Sequence, residues 1–181
     1  LALYTVAHII AGNNRQEANT LSFWQQTQGH EERAMKQITK ILCAVDFSQH
    51  SDQVAAYAAT LAKAFGAEII AVYAAPDLAQ YDNLHVSPTT LEGTLDEIFI
   101  GAEKNMEHFV PAAFNGVNVQ GVVVTGDPAE EILEMAHSSD ADMIIMGTHG
   151  RKGIERILFG SVAEQVVKNA SIPVLTIHPT H

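Results

Sequence analysis

The residues that could do chemistry gather in one stretch. After the apolar run ADMIIMG come Gly147-Thr148-His149-Gly150, then nine residues, then Gly160-Ser161-Val162. Glycine at these points lets backbone N–H groups turn toward an anion with no Cβ in the way. A helix opening at Ser161 adds unpaired N–H groups and the positive end of its dipole. The pattern is that of a phosphate cradle. Arg151, Lys152 and Arg156 lie inside it, the one dense cationic cluster of a chain with 10 Lys and Arg against 21 Asp and Glu. The spacing is not that of a Walker A loop, which needs Lys directly after its last glycine, nor the tighter Gly-x-Gly-x-x-Gly of dinucleotide folds. A carboxylate, Asp46, ends a second apolar run, KILCAVD, and is the other place to expect a ligand.

Each of these residues also has a plainer role. Asp46 can cap the helix that follows it. Ser161-Val162-Ala163-Glu164 reads as a capping box, so that the serine hydroxyl satisfies the helix when no anion is present. Arg151 and Lys152 are either solvated charge or phosphate contacts, and their place inside the glycine loop favours contact. His149 titrates near neutrality but is expected to be a solvent-facing loop residue. Cys43, between apolar neighbours, is expected to pack in the core and not to act as a nucleophile. His178 and His181 lack metal-ligand spacing, and no zinc site is expected.

Regular elements must position these groups. From Thr39 onward, short β-rich runs alternate with longer amphipathic stretches, the signature of βα units around a parallel sheet. KILCAVD, AEIIAVYA, VNVQGVVV, ADMIIMG and PVLTI read as strands, mostly continuous in apolar character, as strands covered on both faces should be. SQHSDQVAAYAATLAKAFG reads as a helix with Val54, Ala58, Leu61, Ala62 and Phe65 on its buried face, Ser48 or Ser51 as N-cap and Gly66 as its stop. Asp127-Pro128 opens another helix, with Asp as cap and Pro in the first turn. Pro76 to about Leu91 reads as a long surface loop leading into a helix near TLDEIFIGAEKNMEHFVPAAF. In such a sheet, ligands bind beyond the carboxyl ends of the strands where successive connections leave on opposite faces. The ends at Asp46 and at Met146-Gly147 are the places to look.

Composition bounds the partners. The chain has 181 residues, 47% of them hydrophobic and 17% charged, which suits one compact domain. A net charge of -11 argues against nonspecific binding to nucleic acid, since phosphate backbones need clustered Lys and Arg. The lone Cys43 fits a reducing compartment, and a cytoplasmic location without membrane insertion is expected. Residues 1–34 have an apolar start, no Lys and a polar Asn/Gln-rich continuation, and read as an appendage to a domain over 35–181. Glu31, Glu32 and Arg33 can be encoded by a purine run resembling a ribosome-binding site upstream of Met35. Translation starting at Met35 is therefore expected, and a peptide from residues 1–30 in the native protein would contradict it.

Gly-x2-Gly-x9-Gly-Ser, together with KILCAVDFSQHS, GDPAEEIL and SIPVLTI, resembles the universal stress protein family, in its ATP-binding branch. The likeness covers essentially everything after Met35. It implies an open five-stranded parallel sheet, doubly wound and Rossmann-like, with strand order 3-2-1-4-5, as in the adenine nucleotide alpha hydrolases. It also implies ATP with Mg2+ or Mn2+ on the phosphates. Adenine would lie near Asp46 and the backbone of Val72, the ribose and inner phosphate by Met146, Gly147 and Gly150, and the outer phosphates by Arg151, Gly160, Ser161 and Val162. Where ATP-binding relatives often carry Pro-Thr before the aspartate, this chain has Ala44-Val45, a departure on the ribose side of the pocket. Pro173 marks the last strand as an edge, and in the resembling family this strand makes homodimers, here through Ile172 to His178.

The expected function is a nucleotide-binding regulatory module of the stress response. Two alternatives are a slow ATP hydrolase using His149 or Asp46 to orient water, and a nucleotide-free dimeric partner-binding protein. No dedicated general base or arginine finger can be named for the first, and the complete glycine signature counts against the second.

Overall fold

Five apolar runs become five strands: β1 (Lys40–Ala44), β2 (Glu68–Ala75), β3 (Val119–Thr125), β4 (Met143–Gly147) and β5 (Val174–Ile177). The computed structural model describes residues 37–75, 88–148 and 160–178. All the pairings are parallel and the order is β3-β2-β1-β4-β5, as expected. The helices are α1 (Ser51–Phe65), α2 (Pro88–Ala113), α3 (Pro128–Ser138) and α4 (Ser161–Asn169). The expected 1–34 appendage lies outside the described residues.

The strands are apolar at consecutive positions because each face of the sheet has its own core. Ile41, Cys43, Ile69, Ala71 and Ile145 face a layer formed with Val54, Ala58 and Ala62 of α1 and Ala102 and Met106 of α2. Leu42, Ala44, Ile70, Val72, Ile144 and Met146 face the other layer, with Ala129 and Ile132 of α3 and Ala163 and Val166 of α4. Alternate residues serve opposite layers, so after Lys40 and Glu68 at their starts β1 and β2 run apolar on both faces. Cys43 is fully buried, and desolvation pushes its thiol up to about 12, which fits the core role expected for it.

Local sequence explains the helix ends, with three corrections. Gly66 stops α1 in the left-handed conformation, φ 70°, and its N–H donates to the Ala62 carbonyl. Asp127 caps α3, its side chain accepting the amides of Ala129 and Glu130. Neither Ser48 nor Ser51 caps α1, however. The N-cap is His50 in a right-handed helical conformation, because the Ser51 hydroxyl is drawn to Asp46 instead. Phe65 is not part of the buried face: it is 48% exposed on a flank shared with Tyr57, while alanines fill the inner face. The loop expected to run to Leu91 ends earlier, since α2 begins at Pro88, a residue suited to a first helical position.

Candidate functional site

β1 and β4 are neighbours at the centre of the sheet, with Ala44 opposite Met146. Beyond β1 the chain turns into α1, which packs on one face; α4, which follows β4, packs on the other. The carboxyl ends of β1 and β4 are therefore the topological switch point, where diverging connections leave a crevice. Ala44, Val45 and Asp46 approach it from β1, and Met146 and Gly147 from β4.

On the β1 side, the turn is built around one carboxylate. Asp46 Oδ1 accepts the Ser48 amide at 3.0 Å and the Ser51 hydroxyl at 2.8 Å, while the Asp46 amide donates to Ser51 Oγ at 3.1 Å. Ser51 is only 2% exposed, so its hydroxyl is a fixed internal anchor. Asp46 thus shapes its own turn and does not cap α1. Phe47, next in sequence, takes a left-handed backbone conformation, φ 56°. Val72, in the register opposite Ala44, accepts the Val45 amide on its carbonyl at 2.9 Å. That carbonyl can meet a further donor only through its second lone pair.

On the β4 side, Thr148 holds the roots of the glycine segment. Its amide donates to the Ile177 carbonyl at 2.9 Å, and its carbonyl accepts the Gly160 amide at 2.7 Å. Its hydroxyl lies 3.1 Å from His178 Nδ1, just past β5. Thr148 is 5% exposed, and it fastens the two ends of the 149–159 segment to each other and to the edge strand. The expected contacts Gly150 and Arg151, with His149, Lys152 and Arg156, lie outside the described residues.

The start of α4 differs from the capping box read from SVAE. Gly160 is the N-cap, extended at φ -70° and ψ 159°, and as a glycine it has no side chain to bond into the first turn. Ser161 is already the first helical residue and is exposed. With Gly160 as the cap, Glu164 is the fourth helical residue and one place too far on for a capping box, and it pairs instead with Lys168 one turn later at 2.6 Å; that hydrogen bond and charge keep its carboxyl below the usual range. The first intrahelical bond runs from the Glu164 amide to the Gly160 carbonyl, so the amides of Ser161, Val162 and Ala163 have no intrahelical acceptor. Such an end, carrying the positive pole of the helix behind a glycine cap, suits an anion. The amide of Gly160 itself is spent on Thr148.

The site therefore has two unlike ends, a carboxylate turn after β1 and a glycine-capped helix start after β4. Ala44 and Ala163 belong to the same apolar layer beneath them. Sequence reasoning missed Ser51, Thr148 and His178. Ser51 was within reach, as the second serine of DFSQHS, but the partner of Thr148 is 30 residues away.

Known proteins with this pattern agree in sequence and in fold. The Universal stress protein family matches residues 37–178. Universal stress protein MJ0531 of Methanocaldococcus jannaschii is 39% identical over 140 residues, which span 76% of this chain and 81% of the relative. A universal stress protein of Thermus aquaticus is 33% identical over 138 residues, 76% of this chain and 96% of the relative. Among solved structures, protein MJ0577, also of M. jannaschii, superimposes with a TM-score of 0.71 at 26% identity, over 80% of this chain and 99% of its own. The universal stress protein of Archaeoglobus fulgidus in complex with dAMP superimposes with a TM-score of 0.58 at 25% identity, over 77% and 97%. This chain belongs to the universal stress protein family.

Proposed function

We propose that this chain binds ATP at the crevice between the ends of β1 and β4 and acts as a regulatory module of the stress response. The observation that carries the reading is the start of α4: a glycine N-cap and first-turn amides at Ser161 and Val162 directed to the switch-point end of the sheet. The glycine spacing and the dAMP complex of the Archaeoglobus fulgidus relative support the same ligand class. The phosphates lie at Gly160, Ser161 and Val162, with Gly150 and Arg151, and the base and ribose lie toward Ala44, Val45, Asp46 and Val72. Mg2+ or Mn2+ rides on the phosphates, neutralising charge that the acidic chain would otherwise repel. The module works in the cytoplasm; no helix among the described residues is long and apolar enough to cross a membrane.

Gly160→Ala tests the phosphate end. A Cβ there meets the Thr148 carbonyl oxygen at 3.3 Å, so the N-cap must shift. ATP affinity, measured by calorimetry, falls by about tenfold, equivalent to roughly 1.4 kcal/mol. Unchanged affinity would remove α4 from the phosphate site.

The module pairs as a homodimer through Ile172 to His178. β5 is the edge of the sheet, bonded to β4 on one side only. Because the carbonyls of Pro173 and Ile177 accept bonds from β4, the alternate residues Val174 and Thr176 direct their backbone groups to the open edge. Thr176→Pro removes an outward donor and leaves the β4 ladder intact. Sedimentation should show a folded monomer for this variant and a dimer for the parent; a parent that sediments as a monomer contradicts the pairing.

A further inference from the structure

Phe47 follows Asp46 directly, and its left-handed backbone is strained for an aromatic residue, whose Cβ crowds the carbonyl oxygen. The other described non-glycine residue with positive φ is Asp140, of a type that tolerates this region. Strain of this kind persists only where the surroundings enforce it. Here the ring lies against Tyr73 of β2, with centroids 4.6 Å apart and planes at 36°. It also meets Phe109 of α2 edge-on, at 5.7 Å and 73°. Phe109 continues to Phe114 at 5.9 Å. One string of rings thus runs from the Asp46 turn to the end of α2.

The consequence falls on Asp46. With the Phe47 ring sunk between β2 and α2, the left-handed step folds the chain back. Ser48 N and Ser51 Oγ then come within 3.0 and 2.8 Å of Asp46 Oδ1. Without the ring in its slot the strained step loses its aromatic support, and the turn loosens.

We propose that Phe47 is a positioning residue for the nucleoside end of the site: its ring, clasped by Tyr73 and Phe109, holds the turn that presents Asp46. The ligand in this proposal rests on the nucleotide reading above, while the clasp itself rests on the turn. Charge separates the two ends. A carboxylate repels phosphate and accepts from the hydroxyl and amino groups of a sugar or base, whereas the start of α4 attracts phosphate. A fault at Phe47 therefore weakens ATP binding and spares a bare polyphosphate.

The experiment compares Phe47→Leu, Phe47→Gly, Phe47→Tyr and Phe114→Leu with the parent. It titrates ATP and tripolyphosphate and follows amide hydrogen exchange at Ser48. In Phe47→Leu, ATP affinity falls by about fivefold or more while tripolyphosphate affinity stays within about twofold. Phe47→Tyr retains ATP affinity. Phe47→Gly loses the ring but also relieves the strained φ, and loses less ATP affinity than Phe47→Leu. Phe114→Leu, at the far end of the string, lowers the melting temperature without changing ATP affinity. Exchange at Ser48 quickens in Phe47→Leu and not in Phe114→Leu. Equal losses for ATP and tripolyphosphate in a folded Phe47→Leu, or unchanged exchange at Ser48, would overturn the proposal. If the parent binds ATP no more tightly than tripolyphosphate, the nucleotide reading fails instead, and exchange at Ser48 alone decides the clasp.

Discussion

The two ends of the sheet each carry a sheltered aspartate, and the two are used in opposite ways. At the amino end, Asp142 is 8% exposed and its Oδ2 accepts the Thr39 amide at 2.8 Å, the Thr39 hydroxyl at 2.9 Å and the Lys40 amide at 3.1 Å. Its own amide donates to the Lys40 carbonyl, and Lys40 Nζ reaches the Ser139 carbonyl at 2.9 Å and Glu68 at 3.3 Å. The bonds of Asp142 join segments more than a hundred residues apart in sequence, sewing the start of β1 to the start of β4 where no ligand is expected. At the carboxyl end, Asp46 Oδ1 accepts from Ser48 and Ser51, both within five residues, and the residue beside it is strained. One aspartate joins segments distant in sequence, and the other shapes its own turn.

The largest effect should come from exchanging the two acids for alanine. Asp142→Ala strands a cluster of donors at the start of β1 and costs about 3 kcal/mol in urea unfolding. Asp46→Ala costs about 1 kcal/mol and chiefly weakens ATP binding. Equal stability losses would erase the contrast between the ends. Next comes Gly121→Val in β3. A Cβ there would sit 2.6 Å from Met106 Cγ and 3.1 Å from Val110 Cγ2, so those side chains must repack or α2 must shift, at about 2 kcal/mol. Because Phe109 rides on α2, this variant also probes how far the open end depends on that helix. A normal melting temperature would show that α2 has room to give.

Smaller effects should sharpen the picture of the open end. Thr148→Val keeps both backbone bonds that fasten the glycine segment and deletes the hydroxyl contact to His178, costing about 1 kcal/mol. Faster amide exchange at Ser161 and Val162 in this variant would show that the edge strand steadies the start of α4. Thr148→Ser should restore the parent rate.

Glu131 gives the smallest effect. Its carboxyl is raised from the ordinary 4.5, first by burial and then by repulsion from Glu134, Glu130 and Asp127. It lies against Gly126, where an added Cβ would collide with its carboxylate. A raised carboxyl holds its proton more tightly in the fold than in the unfolded chain. Ionised Glu131 is therefore a burden at pH 7. The burden is relieved as pH falls through the folded value and is gone below the ordinary 4.5. Glu131→Gln should then gain on the order of 0.3 kcal/mol at pH 7, after discounting for solvent screening, and nothing in acid. A gain that persists in acid would have another cause.

Much of this was legible in the residues, and the failures share a cause. Strands announced themselves because both faces are buried, and Gly66 and Asp127 stop and start helices by chemistry that belongs to single residues. The glycine spacing pointed to the start of α4, where Gly160 is the N-cap. Where reasoning slipped, a side chain had two possible partners. SVAE has the letters of a capping box, but Lys168 takes Glu164 and Gly160 takes the cap. Ser51 has the type of an N-cap and is taken by Asp46. Asp142 could not be read at all, since its partners lie 102 and 103 residues away. Phe47 was equally opaque: its backbone is set by rings on β2 and α2 that only the fold brings together.

The central claim is that the glycine-capped start of α4 and the Asp46 turn together form an adenine nucleotide site. Titration calorimetry of the full chain with ATP and Mg2+, run in parallel on the parent and on Gly160→Ala, tests it most directly. The account predicts one saturable site per chain in the parent and about tenfold weaker binding in the variant. Absence of binding to the parent, or an affinity indifferent to Gly160, would contradict it.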